Sequence, residues 1–112
     1  MMYETGEDIE YFHTYLKDLQ ELMPNSIKTV DLYESDMAKR FFAASGGYAR
    51  EIANIIDTTF EMSDLTKKLE PQHYARGFAV SCSNGLADEL NPFTAPIDEV
   101  DRHVATITGS VK

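Results

Sequence analysis

Apolar residues recur at steps of three and four along most of the chain, and this spacing restricts the fold more than any other feature of the sequence. Residues at such steps share one face of an α-helix. Thr5 is a suitable N-cap with Asp8 three residues later, and Pro24 disfavours helical geometry in the residue before it. The pattern therefore predicts an amphipathic helix over residues 5–23, whose apolar stripe comprises Ile9, Phe12, Leu16, Leu19 and Met23.

Three further helices are predicted, each bounded by residues that stop or start helices. The second begins at Asp31 or Ser35 and ends near Ala44, and the third spans residues 48–61. The fourth begins at Pro71, because the first helical position tolerates a residue without an N–H group. The predicted buried residues are Met37, Ala38, Phe41 and Phe42 in the second helix, Tyr48, Ile52, Ile55, Ile56 and Phe60 in the third, and Tyr74, Ala75, Phe78 and Ala79 in the fourth.

The helical pattern weakens after Val80, and the sequence predicts a different organisation there. A short helix over residues 97–107 is an option that the pattern leaves open. The segment Asn91-Pro92-Phe93 reads as a flexible linker, with a partner-docking segment as the less favoured alternative. We therefore expect an all-α fold, a small bundle of about four helices over residues 1–90, followed by an irregular or partly helical tail over 91–112.

The charge balance limits what the chain can bind. It has 10 Lys and Arg against 19 Asp and Glu, a net charge of −9, so its surface as a whole repels nucleic-acid phosphates and anionic lipid. A single cysteine, Cys82, excludes an internal disulfide, and no apolar run is long enough for a membrane span. These features predict a cytoplasmic protein without membrane contact. Six acidic residues are concentrated in the first stretch of the chain: Glu4, Glu7, Asp8, Glu10, Asp18 and Glu21. This stretch is either a solvated face or a docking surface for a basic partner.

The sequence contains no complete catalytic or metal site. There is no Gly-rich phosphate loop of the G-x-x-x-x-G-K-[ST] type, and the pair Asp98-Glu99 is interpreted as a solvated helix start. Metal ligands on a helix recur at i+3 or i+4, and none of the histidines is followed by a second ligand at either step. Cys82 lacks a local base that would activate it as a nucleophile. We expect no catalytic residue and no metal ligand. The histidines His13, His73 and His103 are therefore not expected to bind a metal ion.

Residues 42–56, FAASGGYAREIANII, carry a resemblance to a known class of protein. They are similar to the junction in the lid domain of AAA+ ATPases, where one helix ends at Ser/Thr-Gly and the next opens with Gly-x-x-Arg, the sensor-2 arginine. The order of features over residues 7–80 resembles the C-terminal part of transposition ATPases of the TniB/TnsC type. These features are a helix ending in Leu-Met-Pro, the Ser-Gly-Gly turn, a long apolar helix and a fourth helix ending in Tyr74-Ala75-x-x-Phe78-Ala79.

The resemblance implies a role for three residues. Gly46 and Gly47 would allow the sharp turn between helices, and Arg50 would point outward and sense the terminal phosphate of a nucleotide held by an ATPase domain. That domain, with both Walker motifs, is expected to precede Met1. The chain would bind no cofactor by itself, whereas the parent protein would use ATP and Mg²⁺, form homo-oligomers, and act on transposase and target DNA. The isolated lid would not be an enzyme.

A second hypothesis comes from the residues alone. The chain is then a free-standing helical adaptor whose acidic first helix docks a basic partner, and the Gly-Gly turn is purely architectural. The encoding DNA discriminates between the two, because only the lid hypothesis expects both Walker motifs upstream.

Overall fold

The computed structural model describes residues 3, 5–81 and 91–108, and of residues 107 and 108 it describes the backbone alone. These residues form a helical bundle and contain no strand, which confirms the predicted all-α fold class. Cys82 lies outside the described residues. The helices are α1 (Gly6–Leu22), α2 (Ser35–Ser45), α3 (Ala49–Met62), α4 (Pro71–Ser81) and α5 (Ile97–Thr108).

Both ends of α1 follow from local sequence signals. Thr5 and Asp8 form a reciprocal capping box, in which the Asp8 amide donates to Thr5 Oγ1 at 3.1 Å and the Thr5 amide donates to Asp8 Oδ2 at 3.3 Å. Such a box satisfies two amide groups that the helix itself leaves open. At the other end Met23 is extended, with φ −68° and ψ 147°, because Pro24 follows it. The predicted start and stop of this helix are confirmed.

The start of α4 combines a proline with a side-chain cap. Pro71 is its first residue, as predicted. The backbone amide of Glu70 donates to His73 Nδ1 at 2.8 Å, so this histidine closes the helix start. The two loops before α2 and α4 are joined by a single parallel bridge between Thr29 and Leu69.

Aromatic rings from α2, α4 and the segment before α5 form the centre of the core. The Phe41 ring lies 5.4 Å from Tyr74 and 4.9 Å from Phe93, centroid to centroid. Phe78 on α4 approaches Phe93 at 6.3 Å. Edge-to-face pairs at these distances are favourable. The core is therefore closed by a residue from the C-terminal tail.

Gly77 sets how closely α3 and α4 pack. A Cβ atom at this position would lie 3.0 Å from both the carbonyl oxygen of Ile55 and the backbone nitrogen of Thr59, closer than side chains tolerate. Thr59 is buried, and its hydroxyl donates to the Ile55 carbonyl at 2.7 Å, so its polar group is satisfied inside the core. The absence of a side chain on Gly77 thus brings the two helix backbones together.

Most predicted core residues are buried. The prediction is confirmed for Phe12, Leu16, Met37, Ala38, Phe41, Phe42, Ile52, Ile55, Ile56, Tyr74, Ala75 and Phe78, whereas Ile9, Leu19, Met23 and Phe60 are half-buried.

Two predicted core positions are wrong. Tyr48 is 70% exposed because it is the N-cap of α3, where its extended backbone takes it out of the helical period. Ala79 is exposed because the close approach at Gly77 centres the buried face of α4 on Tyr74, Gly77 and Phe78. Ala79 lies one residue beyond that face, about 100° around the helix from Phe78.

The segment Asn91-Pro92-Phe93 is neither a flexible linker nor a free docking segment, which corrects both expectations. Phe93 is 2% exposed, and the Asn91 side-chain amide donates to the Ala75 carbonyl at 2.8 Å. Arg40 Nη1 donates to the carbonyl groups of Pro92 and Ala95 at 3.1 and 2.7 Å. These bonds hold the segment against α2 and α4, and α5 follows it with Val100 and Val104 buried.

Candidate functional site

The turn between α2 and α3 is built on two glycines in the left-handed region. Gly46 has φ 65° and ψ 15°, and its amide donates to the Phe42 carbonyl at 2.8 Å, which closes the end of α2. Gly47 follows with φ 84°. Residues with a Cβ adopt such φ values at a cost, whereas glycine does so freely. The chain thus leaves one helix and begins the next within three residues, at positions 46–48.

Space is not what requires glycine at position 46. A Cβ atom there would lie 3.6 Å from the Tyr48 ring, an ordinary contact distance. The positive φ value is therefore the reason for the glycine, as the sequence predicted.

Ser45 fixes the geometry of this turn from inside. Its side chain is buried, and Oγ donates to the Phe41 carbonyl at 2.7 Å while it accepts from the Gly47 amide at 3.1 Å. The Tyr48 amide in turn donates to the Ser45 carbonyl at 3.2 Å. Ser45 belongs to the Ser-Gly-Gly motif, but the sequence alone assigned its side chain no role. The available signal was a serine beside a glycine pair at a helix end, where hydroxyls commonly bond the local backbone.

Arg50 projects from the first turn of α3. It is exposed, and among the described residues it has neither an ion pair nor a hydrogen-bond partner. It lies two residues before the buried Ile52, about 200° around the helix, which explains its outward direction. The outward orientation predicted from the sequence is confirmed.

The start of α3 is open to solvent. Within the described part of the chain, the backbone amides of Ala49 and Arg50 have no acceptor, whereas those of Glu51 and Ile52 donate to the Tyr48 carbonyl at 3.1 Å. Tyr48 makes no side-chain cap. Free amides at a helix start carry partial positive charge that favours an anion.

The electrostatics of this helix start are mixed. The Arg50 guanidinium adds a full positive charge and a planar set of donors that suits a phosphate. Glu51, in the same turn, opposes an anion by like charge. An incoming phosphate would thus need further positive groups from elsewhere, such as a second domain.

The three histidines lie on three different helices. His13 Nε2 lies 3.3 Å from the Tyr3 hydroxyl, His73 caps α4, and His103 is on α5. No group of three or more His, Cys, Asp or Glu residues within the described ranges could hold a metal ion. Asp98 and Glu99 are exposed in the first turn of α5, so their interpretation as a solvated helix start is confirmed.

None of the helices in the described ranges combines the length and the apolarity needed to cross a bilayer. Comparison of the chain with protein-family models, with curated proteins and with solved structures gives no match. Interpretation of the turn between α2 and α3 therefore depends on its own residues and geometry.

Proposed function

We propose that this chain is the helical lid of an AAA+ ATPase of the TniB/TnsC type, which acts in DNA transposition. The observation that carries the proposal is the turn itself. One helix ends at Ser45, two glycines with positive φ connect it to the next helix, and Arg50 is exposed in the first turn of that helix. A sensor arginine requires this combination of a rigid helix start and an outward guanidinium.

In the parent protein, Arg50 contacts the terminal phosphate of ATP across the cleft between lid and ATPase domain. The ATPase domain supplies the Mg²⁺ site and the remaining phosphate contacts. Its positive groups also outweigh the repulsion between Glu51 and the phosphate. The lid couples the nucleotide state to the packing of subunits on target DNA, which presents a platform to the transposase. The net charge of −9 assigns DNA contacts to other parts of that assembly.

The first test is to sequence the DNA upstream of the coding region, which should encode both Walker motifs. In the parent protein, Arg50→Ala should then impair ATP turnover or nucleotide-dependent assembly while circular dichroism stays unchanged. Arg76→Ala is the matched control, because Arg76 is an exposed arginine on α4. Unchanged turnover and assembly in Arg50→Ala would refute the sensor role, and the isolated chain should hydrolyse no ATP.

The adaptor hypothesis is the second candidate, and the exposure of the acidic residues on α1 favours it. Glu7, Glu10, Asp18 and Glu21 are all exposed, so they are available to a basic partner. In this case the Gly-Gly turn serves the fold alone, and Arg50→Ala has no functional effect.

A further inference from the structure

An apolar groove runs between the C-terminal part of α1 and the middle of α3. Its volume is about 180 Å³. Leu22 on one wall is 81% exposed, although it is a large apolar side chain. Asp57 is the one charged residue in the lining, which is formed by Leu19, Leu22, Met23, Pro24, Ala53, Ile56, Asp57 and Phe60.

The groove exists because of how the helices pair. Among the described helices, α1 packs against α2, and α3 packs most closely against α4. The sides of α1 and α3 that face each other are therefore only partly covered, and Leu19 and Phe60 remain half-buried there. Contiguous exposed apolar surface of this kind commonly marks an interaction site.

The size of the groove indicates side chains of a macromolecule as its occupant. Small-molecule pockets usually enclose about 300–1,000 Å³. This groove is smaller, and residues of two helices, α1 and α3, form most of its lining. A helix laid along such a groove inserts apolar residues spaced at i, i+4 and i+7, which is a common mode of peptide recognition.

Acidic residues border the apolar surface. Asp18 lies four residues before Leu22 on α1, and Glu61 lies four residues after Asp57 on α3, so each adjoins a lining residue on its helix. None of these three carboxylates has an ion-pair or hydrogen-bond partner within the described residues. They are free to pair with cations on an occupant.

The two helices that form the walls are acidic as wholes. α1 carries five acidic residues and one basic residue, and α3 carries three and one. The base on α1, Lys17, lies over the Tyr33 ring at 5.8 Å and is not among the residues that line the groove. Arg50, the base on α3, is two turns before Asp57, roughly 10 Å along the helix. The second half of α3 therefore carries two acids, Asp57 and Glu61, and no base.

We propose that this groove binds an amphipathic helix of a partner protein, with an apolar stripe flanked by lysine or arginine. The stripe covers Leu22 and Phe60, and the flanking cations pair with Asp18, Asp57 and Glu61. A second copy of this chain is disfavoured as occupant, because it would bring the same acidic rim against itself and like charges repel. The inference does not depend on the lid proposal, and it gives the adaptor hypothesis a specific site.

A labelled helical peptide tests the inference with the full chain. It carries leucines at i, i+4, i+7 and i+11 with lysines on both sides of the stripe, and fluorescence anisotropy reports its binding. Two control peptides have the same length. One has the lysines replaced by glutamates, and the other has the same composition with the leucine stripe scrambled. We expect binding of the first peptide alone, weakened by added salt.

Variants locate the binding surface. Leu22→Ala should weaken binding about tenfold, because truncation removes apolar area at the centre of contact. Asp57→Asn and Glu61→Gln should each weaken it about twofold to fivefold, as exposed ion pairs do. Val80→Ala and Glu99→Gln alter exposed residues on α4 and α5 and should leave affinity unchanged.

Three results would overturn the inference. Equal binding of the scrambled peptide would show that charge alone attracts it, and equal binding to Leu22→Ala would place the contact elsewhere. Self-association in sedimentation equilibrium that Leu22→Ala abolishes would identify a second copy as the occupant. The turnover assay on Arg50 variants is independent of each outcome, so failure here and failure of the lid proposal are distinguishable.

Discussion

Replacement of Gly77 by alanine tests the packing of α3 against α4. The added Cβ would lie 3.0 Å from two backbone atoms, the Ile55 oxygen and the Thr59 nitrogen, and would also overlap the Thr59 hydroxyl. Backbone atoms inside a helix cannot rotate away, unlike the end of a flexible side chain. Ordinary van der Waals contact needs about 3.5 Å or more, so the helices must separate by about 0.5 Å.

Two opposing effects set the size of the change. Alanine in place of glycine within a helix stabilises it by about 0.5–1 kcal/mol. Overpacking a core costs about 1–3 kcal/mol, and a gap of 0.5–1 Å forfeits a quarter to a half of the contact energy across it, by rough estimate. The contacts at risk are those between α3 and α4, where Ile55, Thr59, Tyr74 and Phe78 are all buried. We expect a net loss of about 1–2 kcal/mol in the free energy of unfolding.

Urea denaturation followed by circular dichroism measures this loss. Gly6→Ala is the matched control, because a Cβ on Gly6, the first residue of α1, meets nothing within 4 Å, and it should leave stability unchanged or raise it by up to about 1 kcal/mol. Thr59→Ala combined with Gly77→Ala should recover part of the loss, since it removes the hydroxyl but leaves the backbone contacts. If Gly77→Ala proves stabilising, α3 and α4 lie further apart than described and the packing argument fails.

Three further changes test other contacts of the core. Burial raises the pKa of Tyr74 to about 12, from 10.0 when unfolded, while its hydrogen bond with Thr29 opposes the shift. A contribution of about 2–3 kcal/mol to stability should therefore be fully present below pH 10 and be lost between about pH 10 and 12. Chemical denaturation should show a larger loss over this range in the wild type than in Tyr74→Phe, which keeps the smaller effect of the Tyr3 and Tyr15 hydroxyls, whose pKa values burial also raises. Arg40→Ala should lower the free energy of unfolding by about 1.5–3 kcal/mol, because it removes the charge-assisted hydrogen bonds to the Pro92 and Ala95 carbonyl groups. Amide hydrogen exchange should then speed up more in α5 than in α1, and equal effects on both helices would contradict the role of Arg40 in holding the segment before α5. Ile55→Ala should cost about 2–5 kcal/mol because it leaves a cavity, and a loss below about 1 kcal/mol in urea denaturation would show that the core face is misassigned.

The candidate site was largely predictable because its signals are local. The short turn between two helices needs positive φ values, and Gly46 and Gly47 can adopt them whatever residues surround the turn. The direction of Arg50 follows from helical geometry relative to Ile52. The role of Ser45 was not predictable with the same ease. It depends on whether the side chain turns inward, where its hydroxyl bonds the Phe41 carbonyl.

Local sequence signals set where most helices start and stop, because capping boxes, prolines and glycine pairs act on backbone groups within about four residues. Which residues pack against each other depends on contacts between distant segments. Phe93 is buried because Arg40, 53 residues earlier, bonds the carbonyl groups around it, and Ala79 is exposed because Gly77 approaches α3. The groove between α1 and α3 arises in the same way. Burial depends on distances between segments remote in the chain, and helical periodicity carries no information about those distances.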